Sequence, residues 1–418
     1  MQIEIVTIGN EVLSGRTLDT NFAFLARLLE EASVQVTWHS TVGDTAERIA
    51  EGLTRALDRA DAVIMTGGLG PTPDDVTRKA VATVLSRPLQ LDEGVLASIR
   101  ERGRRMGRKL PATVETMALI PRGAEIWANP VGSAPGLLLL HREKPVILLP
   151  GVPHEMEALA REHVAPYLGK RTGRTIESLT LRTYGAYESQ LHERIGALPE
   201  SWPGAALAYL PSWFGVDLRL TVAGPNAAAV RDTAARGREE LLARVRGVVY
   251  TEGSASMEDV VGALLVRRGW RIATAESCTG GLLAKRLTDV PGASRYVERG
   301  FVTYSNATKL ELLGVDAATL EAQGAVSAAV AEQMAGGART RAGADVGVGI
   351  TGIAGPDGGS EAKPVGMVYV ALVSPLGDAV RVLRLSGSRS TIRERAAQTA
   401  LDFLRRHLLE LPIDPTLD

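Results

Sequence analysis

The chain has 418 residues, 45% of them hydrophobic and 23% charged, with a formal net charge of −1 and a single cysteine. Those figures predict a soluble globular protein of two or three domains, and they exclude a disulfide framework, a cysteine-based zinc site and a bulk affinity for nucleic acid or acidic membranes. The start lacks a basic-then-apolar signal pattern and no run of about 18 apolar residues occurs, so a reducing cytoplasmic location is expected.

Residues 3–8 read as a strand, 18–31 as a helix, 34–39 as a strand, 47–58 as a helix and 62–66 as a strand entering Gly67-Gly68-Leu69-Gly70-Pro71. Such alternation predicts an α/β domain with a parallel or mixed sheet covered on both faces. Ligands of these sheets sit beyond the C-terminal strand ends. Four loops fall there. They are Gly9-Asn10-Glu11 with Thr20-Asn21 behind it, the loop holding Asp44, the stretch from Thr66 through Thr72 to Asp74 and Asp75, and the segment from Pro150 to Met156 that carries Glu155. Glycines let backbone approach a phosphate, and N–H groups at a helix start bind it. Carboxylates in the same cleft would repel that phosphate unless a divalent cation lay between. Glu11, Asp44, Asp74, Asp75 and Glu155 therefore form a candidate metal set, hard oxygen ligands suited to magnesium or a similar transition metal. Asp74 and Asp75 read equally well as caps of the helix beginning near Val76.

The run from Thr66 to Asp75 resembles the signature of the molybdopterin-binding fold family. With Gly9-Asn10-Glu11 and Pro150-Gly-Val-Pro-His-Glu-Met156, residues 1–170 resemble the N-terminal domain of the CinA family. That resemblance implies divalent-metal-dependent hydrolysis of ADP-ribose to AMP and ribose 5-phosphate. Asn10, Asn21, Gly67, Gly68, Gly70, Pro71 and Thr72 would bind the ADP-ribose phosphates, and Asp44, Asp74 and Asp75 would hold metal or activate water. The same fold also binds molybdopterin without cleaving a pyrophosphate, so a pterin-binding module is the alternative.

Residues 171–251 change pattern: a strand at 179–184, a helix at 187–198, strands at 205–210 and 216–223, and a helix at 227–245. This α+β unit resembles the KH-like connector of the same family. It lacks the Gly-x-x-Gly loop with which a KH module clamps nucleic acid, so spacing and dimerisation are the expected jobs. Trp202, Trp213 and Phe214 read as core residues or as an interface patch, with core the default.

Residues 252–418 open a third unit after a Gly-Ser linker, with a helix at 258–268 and a strand at 271–274. The turn Ala275-Glu276-Ser277-Cys278-Thr279-Gly280-Gly281 leads into a helix at 282–287. A strand at 297–304, helices at 307–313 and 328–341, and a strand at 345–350 follow. Strands at 366–373 and 379–385 form a hairpin, and the last helix runs over 391–409. A separate α/β sandwich with a mixed sheet is predicted. The strand-to-helix turn leaves N–H groups free where an anion is favoured. Ser277 and Cys278 are the nucleophile candidates there, Ser277 preferred. The unit's only histidine, His407, lies on the last helix and reads as a surface residue, which excludes a Ser-His-Asp triad. A lysine is left as base: Lys285, Lys309 or Lys363, with Lys309 preferred for its strand-to-helix position.

Ala-Glu-Ser-Cys-Thr-Gly-Gly281, Gly300-Phe-Val-Thr-Tyr-Ser-Asn306, Gly324-Ala-Val-Ser327 and Gly349-Ile-Thr-Gly-Ile-Ala-Gly-Pro356 resemble the CinA C-terminal, PncC-type nicotinamide mononucleotide deamidases. The implied reaction gives nicotinate mononucleotide and ammonia and needs no metal. By the family pattern Ser277 attacks and Lys309 carries the proton. Tyr304 and Thr351 position substrate or stabilise charge, with Glu276, Cys278, Thr279, Gly280 and Asn306 in the substrate site. Arg389 or Arg393 meets the phosphate, and amides at Cys278 to Gly280 are oxyanion donors. Taken together, the resemblances imply a homodimeric, cytoplasmic enzyme of pyridine-nucleotide recycling with small nucleotides as its partners. A competence or DNA-repair adaptor with vestigial sites is the remaining alternative.

Overall fold

A computed structural model describes residues 1–105 and 111–414 of the chain. These form two compact units, residues 1–178 with 222–232, and residues 179–221 with 233–418. No helix among the described residues is long and apolar enough to cross a membrane.

The first unit carries β1 (Ile3–Ile8), α1 (Asn10–Leu13), α2 (Thr20–Glu31), β2 (Val36–Val42), α3 (Ala46–Arg59) and β3 (Ala62–Thr66). Next come α4 (Thr77–Val84), β4 (Leu89–Leu91), α5 (Glu93–Arg105), β5 (Leu119–Pro121), β6 (Glu125–Trp127), β7 (Gly136–His141) and β8 (Lys144–Leu149). It closes with α6 (Pro153–Leu159) and α7 (Ala165–Gly169). Six strands form one sheet in the order β2-β1-β3-β8-β7-β6, and β4 pairs with β5 apart from it. β2, β1, β3 and β8 are parallel, and β7 and β6 turn antiparallel. The central strands are buried on both faces, which is why they read as continuous apolar runs. Ile5 and Ile64 face the core under α2 and α6, while Val6 and Met65 face the core under α3 and α4. The loops after β1, β2, β3 and β8 thus gather at one sheet edge.

A four-stranded sheet follows in the chain, order β10-β11-β9-β12, from β9 (Thr175–Thr183), β10 (Ala205–Ser212), β11 (Gly215–Gly224) and β12 (Val249–Glu252), with α8 (Glu188–Ile195) and α9 (Ala227–Val245). Trp202 is buried as expected. Trp213 and Phe214 are not core: they sit on the β10–β11 turn with 64% and 38% of their surface exposed.

After α10 (Met257–Arg268) comes a five-stranded sheet in the order β14-β13-β15-β16-β17, from β13 (Ile272–Glu276), β14 (Val297–Val302), β15 (Val346–Gly352), β16 (Met367–Ser374) and β17 (Gly377–Arg384). The first three strands are parallel, and β16 and β17 are the antiparallel hairpin the sequence predicts. α10, α11 (Leu282–Asp289) and α15 (Arg389–Leu408) pack on one face. α12 (Asn306–Leu313), α13 (Ala317–Gln323) and α14 (Ala328–Ala342) pack on the other. β15 shows why the layers are so close. Val346, Val348 and Ile350 fill the first core, whereas a Cβ on Gly347 or Gly349 would lie 2.0 or 2.2 Å from the Ala335 or Ala331 carbonyl of α14. Only glycine admits a helix at that separation. His407 is not a surface residue: it is half buried, with Nε2 2.6 Å from Ser374 Oγ in the β16–β17 turn.

Candidate functional site

β13 is buried throughout, and its last side chain, Glu276, is a carboxylate with no exposed surface. A buried carboxylate requires donors, and Glu276 takes them from the start of α11, Leu283 N at 3.0 Å and Ala284 N at 2.8 Å. Glu276 is thereby a fastener of the turn, not the substrate contact expected of it. Gly280 and Gly281, with φ of 60° and 89°, supply the left-handed backbone that tightens the turn. Ser277 N donates to Ile350 O at 2.9 Å, pinning Ser277 at the C-terminal edge of β15.

Opposite stands the start of α12. β14 stops at Val302, two residues short of the predicted end, and the carbonyls of Thr303 and Tyr304 accept from a side chain of the helix that follows. Ser305 caps α12 by accepting from Thr308 N. Lys309, 1% exposed, then reaches back under the turn. Its Nζ donates to Thr303 O at 2.8 Å and Tyr304 O at 3.4 Å and lies 3.2 Å from Ser277 Oγ. Burial lowers the Lys309 pKa below the usual lysine value, with the neighbouring Cys278 opposing the shift. When the amine is neutral, the two carbonyls hold its two N–H bonds and its lone pair is left for the Ser277 hydroxyl. Lys285, the rival base, is exposed and paired with Asp289 at 2.5 Å.

Cys278 is 5% exposed, and burial pushes its thiol up to about 11. A thiol so protonated is a poor nucleophile at neutral pH. Thr351 Oγ1, buried, donates to Ala325 O at 2.7 Å. Tyr304 is 58% exposed, and its hydroxyl accepts from Arg389 Nη2 at 2.6 Å while Arg389 Nη1 donates to Gly355 O at 2.7 Å. Arg393 holds Thr279 O through Nη2 at 2.7 Å and Nε at 3.3 Å. The two arginines read as phosphate contacts are therefore already engaged within the chain. Gly280 N donates to Ser277 O at 3.0 Å, so its amide is withdrawn from the expected oxyanion donors, leaving those of Cys278 and Thr279. Thr279 Oγ1 is buried without a partner, and Asn306 is exposed on the first turn of α12.

In the first unit, Glu11, Asp44, Asp74, Asp75 and Glu155 all line one cavity of about 640 Å³, together with Gly67, Gly68, Gly70 and Pro71. Asn10 and Thr72 act through carboxylates: Asn10 N donates to Asp44 at 3.0 Å, and Thr72 donates to Asp75 from N at 2.8 Å and Oγ1 at 2.6 Å. Asp75 accordingly closes a turn, and α4 begins at Thr77 with no side-chain cap. Asn21 is a buried strut, its Nδ2 donating to Thr66 Oγ1 and Gly151 O while its Oδ1 has no partner among the described residues. Glu11, Asp75 and Glu155 each lie over a glycine, where a Cβ on Gly9, Gly70 or Gly132 would come within 2.5, 2.5 and 2.0 Å. Sequence reasoning missed Asn129, which donates to Glu155 Oε2 at 2.8 Å and accepts from Gly132 N. The Asn129-Pro130 turn signal was the clue. Among the described residues no three His, Cys, Asp or Glu converge on a metal position. Hard oxygen donors around one cavity still suit an ion completed by phosphate oxygens, since magnesium is commonly held by one or two carboxylates plus substrate.

Comparison with known families places a "Probable molybdopterin binding domain" at residues 4–170, the KH domain of damage-inducible protein CinA at 178–251, and the CinA C-terminal domain at 254–408. A CinA-like protein of Gemmatimonas aurantiaca is 46% identical over 413 residues, 97% of this chain and 96% of that one. Another from Geobacter sulfurreducens is 42% identical over 411 residues, 98% and 100% of the two chains. A solved structure of a CinA protein with unknown function from Thermoplasma acidophilum is 39% identical, covering 40% of this chain and 96% of that one, with a TM-score of 0.37.

Proposed function

Because the chain belongs to the CinA family, we propose that it is a bifunctional hydrolase, a metal-independent nicotinamide mononucleotide deamidase in its C-terminal half and a divalent-metal-dependent ADP-ribose pyrophosphatase in its N-terminal half. The observation that carries the first reading is the buried Lys309 amine 3.2 Å from Ser277 Oγ.

Neutral Lys309 accepts the Ser277 proton as Oγ attacks the carboxamide carbon. The oxyanion of the tetrahedral adduct is met by the Cys278 and Thr279 amides, donors worth about 3 kcal/mol each in such sites. The Lys309 ammonium returns its proton to the departing nitrogen, the C–N bond breaks, and ammonia leaves a nicotinyl ester on Ser277. Water then attacks that ester. Lys309 takes the water's proton and passes it to Ser277 Oγ as the acid product departs. Tyr304, exposed and braced by Arg389, stands at the mouth as a contact for the pyridine or ribose.

For the N-terminal half, the support is the single cavity shared by five carboxylates and the Gly67–Gly70 loop. A divalent ion there would be held by one or two of Asp44, Asp74 and Asp75 and would neutralise the pyrophosphate charge. Asn10, Thr72 and Asn129 hold the carboxylates in place.

The test supplies each substrate to the full chain with and without EDTA. Ammonia formed from nicotinamide mononucleotide in EDTA, and AMP formed from ADP-ribose only when metal is present, support the reading. A folded chain silent on both substrates overturns it.

A further inference from the structure

The Gly67–Gly70 loop meets α4 in an unusual way: four successive carbonyls point at the helix start. Gly67 O accepts from Thr77 Oγ1 at 2.9 Å and Gly68 O from Thr77 N at 3.2 Å. Leu69 O and Gly70 O both accept from Arg78, Nη1 donating to the first and Nη2 to the second at 3.2 Å. Arg78 is 6% exposed and spends its guanidinium on these main-chain oxygens. In a trans peptide the carbonyl and the next N–H point in opposite directions. Carbonyls drawn to α4 therefore turn the amides of Gly68, Leu69 and Gly70 the other way, toward the cavity that the loop lines. None of these three amides donates to an acceptor among the described residues. Gly67 and Gly68, with φ of 117° and 64°, permit the sequence of orientations.

We propose that Arg78 is a positioning residue of the N-terminal site, holding the Gly67–Gly70 loop so that three free amides form a cradle for a pyrophosphate. Three convergent N–H groups match the non-bridging oxygens of one phosphate. The five carboxylates that line the same cavity then meet that anion only through a cation, so amides and metal would act on the same group. The inference rests on the pyrophosphatase reading for its substrate, whereas the cradle itself is tested by binding alone.

Inorganic pyrophosphate with magnesium is titrated calorimetrically into the full chain as wild type, Arg78→Met and Arg78→Lys, alongside thermal melts and ADP-ribose kinetics. Loss of two charge-assisted hydrogen bonds predicts affinity weakened at least about tenfold in Arg78→Met and a matching rise in KM, with kcat kept within about twofold. Arg78→Lys, able to reach one carbonyl, recovers part of the loss. Wild-type affinity in a folded Arg78→Met chain, or a fall in kcat with KM unchanged, overturns the proposal. So does failure of the wild type to bind pyrophosphate. Pyrophosphate binding that depends on Arg78 without any ADP-ribose turnover supports the cradle and removes the hydrolase reading. Should Arg78→Met not fold, Thr77→Val carries the test by freeing Gly67 O, and unchanged pyrophosphate affinity there overturns the proposal.

Discussion

Lys309 Nζ lies 3.2 Å from Ser277 Oγ across 32 residues of sequence, and the two arrive from different layers, Ser277 from the end of β13 and Lys309 from the first turns of α12. Replacing Lys309 by Ala should reduce ammonia release from nicotinamide mononucleotide by at least about a hundredfold. Lys309→Arg should be as inactive, because an arginine cannot give up its proton near neutrality. Near-normal turnover in either variant, measured as steady-state ammonia production, would remove the base assignment.

The active form of the pair is the one with neutral Lys309. Burial lowers this pKa from the usual lysine value, so kcat/KM for the deamidation should rise with pH through the lowered value and level off above it. The residual rate of Lys309→Ala should lack that acid limb. A limb that persists unchanged in Lys309→Ala would assign the titration to another group.

Cys278 has its thiol pushed up to about 11 by burial. Cys278→Ala should therefore retain most of the deamidase activity, and alkylation by iodoacetamide near neutral pH should be slow and leave turnover intact. Rapid inactivation in step with thiol loss would make Cys278 a participant.

Glu155 occupies the space in which Gly132 would carry a Cβ, and Asp75 the same space beside Gly70. Gly132→Ala should displace Glu155 and lower AMP formation from ADP-ribose without touching ammonia release, and Asp75→Asn should abolish the first reaction alone. Both reactions lost together in a folded variant would mean that the two sites are not independent.

His407 is held neutral: burial lowers its pKa below 6.5, Arg268 adds to the shift, and Asp378 opposes it. The unfolded chain then binds the proton first as pH falls, so this residue's contribution to stability is complete above about 6.5 and is lost progressively below it. Protection factors for amide exchange in the β16–β17 hairpin should fall over that range in the wild type. The same pH dependence in His407→Gln would contradict the prediction.

Much of the architecture could be read from local pattern. The strand at Ala62–Thr66 and the helix at Ala227–Val245 fall where apolar spacing predicts them, and the Ser374 to Gly377 turn declares a hairpin. Ser277 and Lys309 were legible because each sits at a strand-to-helix junction. What could not be read is how a polar side chain divides between ligand and scaffold. Glu276, Asn21, Arg389 and Arg393 all carry chemistry-bearing groups near a site, yet Glu276 bonds the start of the helix that follows it and the other three bond partners 34 to 130 residues away. Trp213 and Phe214 went astray for a different reason: aromatic residues are core by default, and only the tight β10–β11 turn puts these two outside. His407 failed in the opposite sense, since its charged neighbours in sequence hide the buried Ser374 it meets.

Both covalent steps of the proposed deamidation run through Ser277 Oγ, and ammonia release from nicotinamide mononucleotide in EDTA, compared among wild type, Cys278→Ala and Ser277→Ala, checks that role. Turnover by the first two and none by Ser277→Ala is the predicted result. Ammonia from Ser277→Ala, or silence from a folded wild type, would contradict the account.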